Sequence, residues 1–379
     1  MTTTLIPIIC GVVAALAVVA LTPLAAHLAR AVGAVAEPKG RSIHDTPTPL
    51  LGGMAILAGF LIPVIYYLPT FDGPSKALIV GGILIALLGA LDDIVDLNPA
   101  VKLVGQAVCA VIPVAAGLTI DHLTLPFFGV GDLGPAQYPV TVLWFVALAN
   151  MINFTDGMDG LAAGVSGIGL TTFAILAATL DRATPAIIAA SLAGAAIGFL
   201  AHNFHPARVF MGDAGSLVLG FIIAGVAVSG VMKSAAAVAI GLPLIVLAIP
   251  ILDTSFVILK RLKHGMPVYS ADKSHFHHRF FTIGWSQRRT VLALYSWTIL
   301  MSAVAIVVST RAGGTIGIAI SLSIALIAGI YLVYLLEILK WGGTPVIDIV
   351  RGRRDEQGRG VTRQAVHAVR RSRTSGSDR

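Results

Sequence analysis

The chain has 379 residues, 56% of them hydrophobic and 12% charged, with a mean hydropathy of +0.88. That composition excludes a soluble globular domain and points to a polytopic membrane protein. The formal charge of +7 comes with no aromatic-interleaved basic face, so it argues for membrane topology and an anionic substrate and against a nucleic-acid partner.

A helix needs about 20 residues to cross a hydrocarbon core roughly 30 Å thick. Eleven apolar windows qualify: 5–26, 54–69, 77–91, 102–119, 139–152, 160–180, 185–203, 214–232, 235–258, 290–309 and 315–339. The short windows 54–69, 77–91 and 139–152 are expected to extend into their flanks. The first reads as an uncleaved anchor with its N-terminus outside, because residues 1–9 carry no Lys or Arg while Arg30, Lys39 and Arg41 follow the run. Cys10 and Cys109 fall inside spans as apolar filler, with no spacing that suggests a disulfide or metal site.

Between the third and fourth spans, "LDDIVDLNP" (91–99) offers Asp92, Asp93 and Asp96, with Asp92 and Asp96 on one helix face if the span continues. The outer loop 120–138 has turn signals around 129–134 and predicts a small hairpin. After the fifth span, "NFTDGMDG" (153–160) sets Asp156 and Asp159 three residues apart, the spacing that stacks side chains one helical turn apart. "HNFHPARVFMGDAGS" (202–216) follows the seventh span and puts Asp213 just before a helix that Ala214 and Gly215 can start. In this stretch Asn203 can read a polar edge, Phe210 either stacks on a base or packs, and Gly212 and Gly215 let backbone amides approach an oxyanion. Asp253 lies inside the ninth span as a buried polar contact without a firm role. Loop 259–289 contains "HFHHR" (275–279) and seven Lys or Arg against one acid, Asp272. After the last span, residues 341–379 include nine arginines and too little apolar surface to fold alone. The chain therefore divides into a membrane domain, 1–340, and a basic disordered cytoplasmic tail, 341–379, suited to anionic headgroups.

Of the 26 Lys and Arg, 22 fall on one side of this topology and four, Lys76, Arg182, Lys233 and Arg311, on the other. The positive-inside rule makes the first side cytoplasmic. The expected fold is all-α: a helical bundle of about 11 transmembrane helices, N-terminus outside and C-terminus cytoplasmic.

Two spans separate each unusual stretch from the next, so all four share one face. Six carboxylates then gather where span ends meet, and like charges that close repel unless protons or a cation intervene. A divalent cation is the economical answer, and all-oxygen ligation shared with phosphates favours Mg²⁺ or Mn²⁺ over zinc. Each Asp taken singly is ordinary capping or turn chemistry. His275, His277 and His278 lack a Cys or Glu-x-x-His partner, so phosphate gripping together with Arg279 suits them better than zinc; an ordinary basic loop is the plain alternative.

These four stretches, in this order, resemble the polyprenyl-phosphate N-acetylhexosamine-1-phosphate transferases, glycosyltransferase family 4. The likeness covers most of residues 27–290 and includes "RSIHDTPTPLLGG" (41–53). It implies an enzyme in which a lipid-carrier phosphate attacks the sugar phosphate of a UDP-sugar, releasing UMP, with Mg²⁺ as cofactor and Mn²⁺ as a substitute. By the same resemblance Asp213 is the metal position, Asp156 and Asp159 are catalytic carboxylates with Asp156 also at the metal, and Asp92, with Asp93 beside it, is the base at the lipid phosphate. A phosphate monoester has its second pKa near 6, so Asp92 is expected to contribute more by positioning than by taking a proton. Lys102 lies near the lipid phosphate, Asn203 and Phe210 near the uridine, and His275, His277, His278 and Arg279 near the sugar or pyrophosphate; Asn153 and Arg208 complete the substrate contacts. "HFHHR" resembles the bacterial N-acetylglucosamine branch, whose donor is UDP-N-acetylglucosamine and whose acceptor is undecaprenyl or decaprenyl phosphate; another N-acetylhexosamine stays open. A homodimer is compatible with this reading. Rival classes are a transporter, whose acids would sit nearer the midplane, and a CDP-alcohol type phosphotransferase, whose single-helix pattern does not appear.

Overall fold

The computed structural model describes residues 2–36, 47–125, 129–232, 247–248, 250–252, 285–310 and 314–335. Its helices are α1 (Thr2–Val32), α2 (Gly52–Tyr67), α3 (Gly73–Val95), α4 (Pro99–Ala115), α5 (Gln137–Thr155), α6 (Leu161–Thr179), α7 (Ala183–Asn203), α8 (Gly212–Val226), α9 (Gln287–Thr310) and α10 (Gly314–Leu335), and a π-helical turn, Ala227–Met232, extends α8. Among the described residues eight helical runs are long and apolar enough to cross a membrane, and Pro99–Ala115 and Gly314–Ile330 are shorter apolar helices. The chain is thus an all-α, multi-pass membrane protein. The short windows do extend, to Gly52–Thr70, Gly73–Val95 and Gly134–Thr155. Most of window 235–258, Asp253, the block His275, His277, His278 and Arg279, and the tail 341–379 lie outside the described residues.

Residues Met1–Leu322 form one compact unit. The second unit begins at Ser323, and its described part, 323–335, is helical.

Local sequence explains the helix ends that matter for the site. The Asp72 carboxylate accepts the Ser75 N–H (2.9 Å) at the start of α3, and the Asn98 side chain accepts the Ala100 N–H (2.9 Å) at the start of α4. In both helices a proline sits in the first turn, where a missing N–H leaves nothing unpaired. α3 stops at Val95, and Asp96 turns left-handed with φ of 52°. The condition for Asp92 and Asp96 to share a helix face is therefore not met: the span extends to Val95 but stops short of Asp96, and the Asn98-Pro99 start of α4 follows at once.

α8 is the axis of the bundle. Residues 214–226 are all buried, and the helix packs against α2, α3 and α5. A helix apolar on every side is stable only when enclosed. By contrast Leu16, Leu24, Val104 and Leu143 are more than 60% exposed, the outward apolar surface of a membrane bundle. Small residues allow the tight central packing: a Cβ on Gly53 of α2 would lie 2.0 Å from the Gly215 nitrogen of α8.

Two small antiparallel pairs complete the described structure, β1 (Val35–Ala36) with β2 (Thr48–Pro49) and β3 (His122–Leu125) with β4 (Gly129–Asp132). The second is the hairpin expected in the outer loop. The first pair continues into the site, because Pro49 O accepts the Phe210 N–H (2.8 Å), Phe210 O accepts the Gly52 N–H (3.0 Å) and Met211 O accepts the Gly53 N–H (2.8 Å). The segment leading into α8 is thereby held in place by the loop before α2.

Candidate active site

The N-terminus of the buried helix α8 collects side chains from three other helices. Gly212 enters α8 with φ of +67°, and the next residue is Asp213. Asp93 of α3 reaches across: its Oδ1 accepts the Asp213 N–H (2.8 Å) and its Oδ2 the Ala214 N–H (3.1 Å). A carboxylate from a different helix thus caps α8 and faces the positive end of its dipole. Both oxygens of Asp93 serve backbone amides, which makes it a positioning group for Asp213.

Asp213 in turn presents its carboxylate to two partners. Oδ1 accepts Asn153 Nδ2 (2.8 Å), and Oδ2 meets the ammonium of Lys102. Asn153 is held by a second bond, to Ser216 Oγ (2.9 Å), whose hydroxyl donates to Gly212 O (3.1 Å). Lys102 Nζ also lies 3.0 Å from Asp92 Oδ2, while Asp92 Oδ1 accepts the Leu97 N–H (2.8 Å) and closes the turn after α3. Asp92, Asp93, Lys102, Asn153 and Asp213, all singled out from the sequence, are therefore brought together at one end of α8.

Asp156 and Asp159 stand on the adjoining loop. Asp156 ends α5 and is half-buried; its carboxyl is held well above the usual range, first by loss of water and then by the nearby charges of Asp93 and Asp159. A carboxylate so placed favours a proton or a cation beside it. Asp159 is 4% exposed, and its Oδ2 accepts His205 Nδ1 (2.8 Å) and the Ala207 N–H (3.0 Å). Asn203, 2% exposed, accepts the Gly160 N–H (3.0 Å) on Oδ1 and donates from Nδ2 to Val209 O (2.9 Å). Asp159 and Asn203 thus tie loop 156–160 to loop 204–211. Phe210 is half-buried and Arg208 exposed on that second loop, and Asp96 is exposed at the end of α3.

Several contributors were not singled out from the sequence. Tyr295 of α9 donates its hydroxyl to Gly160 O, and Arg288 donates from Nε and Nη2 to His205 O (3.1 and 3.0 Å). Arg289 lies 4.6 Å from the centre of the Trp285 ring. Arg288 and Arg289, two of the seven Lys or Arg of loop 259–289, thus both engage neighbouring protein groups.

Gln106 and Asn150 are the other omission, and the signal was available: two carboxamides inside apolar spans need partners. Gln106, 1% exposed, donates from Nε2 to Asn150 Oδ1 (3.3 Å), and Asn150 Nδ2 returns a bond to Gln106 Oε1. Gln106 lies one turn beyond Lys102 on α4, and Asn150 three residues before Asn153 on α5. The pair cross-links the two helices that deliver Lys102 and Asn153 to Asp213. Replacing either amide by leucine is expected to destabilise the protein by about 1–3 kcal/mol through the orphaned partner, whereas the double leucine variant returns much of that loss. Unfolding in detergent checks this, and additive losses would show that the two amides do not act as a pair.

The donor chemistry fits a hard divalent cation. Asp92 and Asp213 already enclose a cationic group between carboxylate oxygens. Among the described residues no three His, Cys, Asp or Glu side chains form a ready-made cage. Mg²⁺ does not need one, because it is commonly held by one or two carboxylates together with waters and substrate phosphates.

The profile of glycosyl transferase family 4 matches residues 75–231, which run from α3 to the end of α8 and its π-turn. The chain is 38% identical over 304 residues to the probable undecaprenyl-phosphate N-acetylglucosaminyl 1-phosphate transferase of Bacillus subtilis, covering 80% of this chain and 85% of the relative. It is 35% identical over 317 residues to the decaprenyl-phosphate N-acetylglucosaminephosphotransferase of Mycobacterium leprae, covering 76% and 80%. A phospho-N-acetylmuramoyl-pentapeptide-transferase of Desulforudis audaxviator is 34% identical over 291 residues, covering 68% and 83%.

Proposed function

We propose, since this chain belongs to glycosyl transferase family 4, that it transfers N-acetylglucosamine 1-phosphate from UDP-N-acetylglucosamine to a polyprenyl phosphate. The observation that carries the reading is the meeting of Asp92, Lys102, Asn153 and Asp213 at the N-terminus of a buried membrane helix. In the reaction an oxygen of the lipid phosphate bonds to the sugar-linked phosphorus of the donor. The bond from that phosphorus to the bridging oxygen breaks, and UMP leaves with the bridging oxygen. The products are polyprenyl-pyrophosphoryl-N-acetylglucosamine and UMP. The excess of Lys and Arg on the side of these loops supports a site that faces the cytoplasm, where a nucleotide sugar is supplied.

Transfer between two anions depends on positioning and charge neutralisation. Lys102 supplies positive charge to the lipid phosphate. Asp92 orients Lys102, because the acceptor phosphate is already largely ionised at neutral pH. Asn153 and Asp93 hold Asp213 in place, and Asp159 and Asn203 hold the loop that carries Asp156. Arg208 and Phe210, on the same strapped segment, would contact the donor, with His275, His277, His278 and Arg279 as its sugar or pyrophosphate contacts. Asp213 and Asp156 would hold Mg²⁺, with Mn²⁺ as a substitute; the ion supplies neutralisation of the diphosphate charge.

The purified protein, incubated with polyprenyl phosphate and labelled UDP-N-acetylglucosamine, is expected to release UMP and form labelled lipid in equal amounts. EDTA is expected to stop both, and Mg²⁺ or Mn²⁺ to restore both. Movement of intact donor across vesicles without UMP would replace the enzyme with a transporter, and undiminished turnover in chelator would remove the metal.

A further inference from the structure

We propose that Lys102 is an exchangeable resident cation: its ammonium occupies the space between Asp92 and Asp213 in the free protein and leaves Asp213 when a divalent cation binds there. The inference rests on the metal reading of Asp213 given above and adds what must happen inside the chain for that ion to arrive.

Both oxygens of Asp213 are taken. Oδ1 accepts Asn153 Nδ2 (2.8 Å), and Oδ2 is against Lys102 Nζ. An incoming ion competes with these two partners for the carboxylate, and they differ in how firmly they are held. Asn153 has a short side chain and a second bond to Ser216 Oγ (2.9 Å), itself one turn into α8. The Asp213 backbone is fixed as well, through the cap from Asp93. Lys102 carries its charge on a flexible four-carbon stem from the first turn of α4, and its side chain is 17% exposed. An ammonium and a divalent cation on the same oxygen repel each other, whereas the Asn153 carboxamide carries no charge to be expelled. Lys102 is the partner that yields.

It has somewhere to go. Asp92 Oδ2 lies 3.0 Å from Nζ, and Asp92 is anchored by the Leu97 N–H (2.8 Å). The ammonium can pivot about Asp92 as it leaves Asp213 and present its free N–H groups to an arriving phosphate. Without an ion, the same ammonium keeps two carboxylates from repelling across the gap. The cation site is thus self-neutralised when empty of metal, and metal arrival releases a charged donor for substrate. Because ammonium and ion compete, the wild-type chain binds the ion more weakly than the carboxylates alone would.

The test uses the purified full chain in detergent without substrates, with free Mn²⁺ followed by its paramagnetic resonance signal. Wild type is expected to bind one Mn²⁺ that Asp213→Asn abolishes. Lys102→Met and Lys102→Gln are expected to bind the same single ion at least about tenfold more tightly, since a competing unit charge has gone. Equal or weaker binding in variants that still melt cooperatively would overturn the exchange while leaving the metal at Asp213. Mn²⁺ binding that Asp213→Asn does not change would instead overturn the metal reading, and the exchange with it. A second measurement needs no variant: saturating Mn²⁺ is expected to speed amine-reactive labelling of Lys102 in wild type several-fold, and an unchanged labelling rate would sink the proposal.

Discussion

Asp213→Asn is expected to reduce UMP release by about a thousandfold or more while leaving the melting transition in detergent close to that of wild type. Asparagine keeps the shape, and its side-chain oxygen still accepts Asn153 Nδ2. It loses the charge that faces Lys102 and, on the reading above, the ion that neutralises the donor diphosphate. The structural penalty is small by comparison. A negative charge in the first turn of α8 contributes about 0.3–1 kcal/mol through the helix dipole. Lys102 retains Asp92 at 3.0 Å, and Asp93 still caps the backbone N–H groups of residues 213 and 214. Activity and stability should therefore separate cleanly. Turnover within tenfold of wild type would exclude Asp213 from the chemistry.

The convergence of acids was legible in the sequence because membrane helices alternate in direction: an even number of spans between two motifs returns the chain to the same face. α4 and α5 separate Asp92 from Asp156, and α6 and α7 separate Asp156 from Asp213, as the hydropathy pattern implied. The division of labour within the cluster was not legible. Asp92 and Asp93 are neighbours on α3, but a helix turns about 100° per residue. One carboxylate therefore meets Lys102 and the other meets α8, 120 positions further along the chain. Only packing decides which is which. Asn203 illustrates the same limit, since its motif position suggested a substrate contact while its buried carboxamide spends both ends on backbone of two loops. The end of α3 has a local reason: the Asn98-Pro99 start of α4 follows directly after the left-handed Asp96.

Gly212→Ala is expected to couple a loss of stability to a loss of activity, and a second glycine provides the comparison. At φ of +67° any L side chain strains the backbone, by about 1–2 kcal/mol. A Cβ here would also lie 2.4 Å from Asp93 Oδ2 and 2.5 Å from Leu50 O, so the cap or the strap before α2 must move. Displacing Asp93 leaves the amides of Asp213 and Ala214 without their acceptor, worth a further 1–3 kcal/mol, roughly. Asp213 then shifts, and a misplacement on the order of 1 Å at a reacting centre reduces turnover about a hundredfold. Gly117 also has positive φ, +96°, but nothing lies within 4 Å of its would-be Cβ. Gly117→Ala should show the backbone strain alone, with turnover near wild type. Melting temperature and turnover measured on both variants isolate the contribution of the Asp93 cap. Equal destabilisation of the two, with turnover preserved in both, would mean that the cap does not hold Asp213 in its working position.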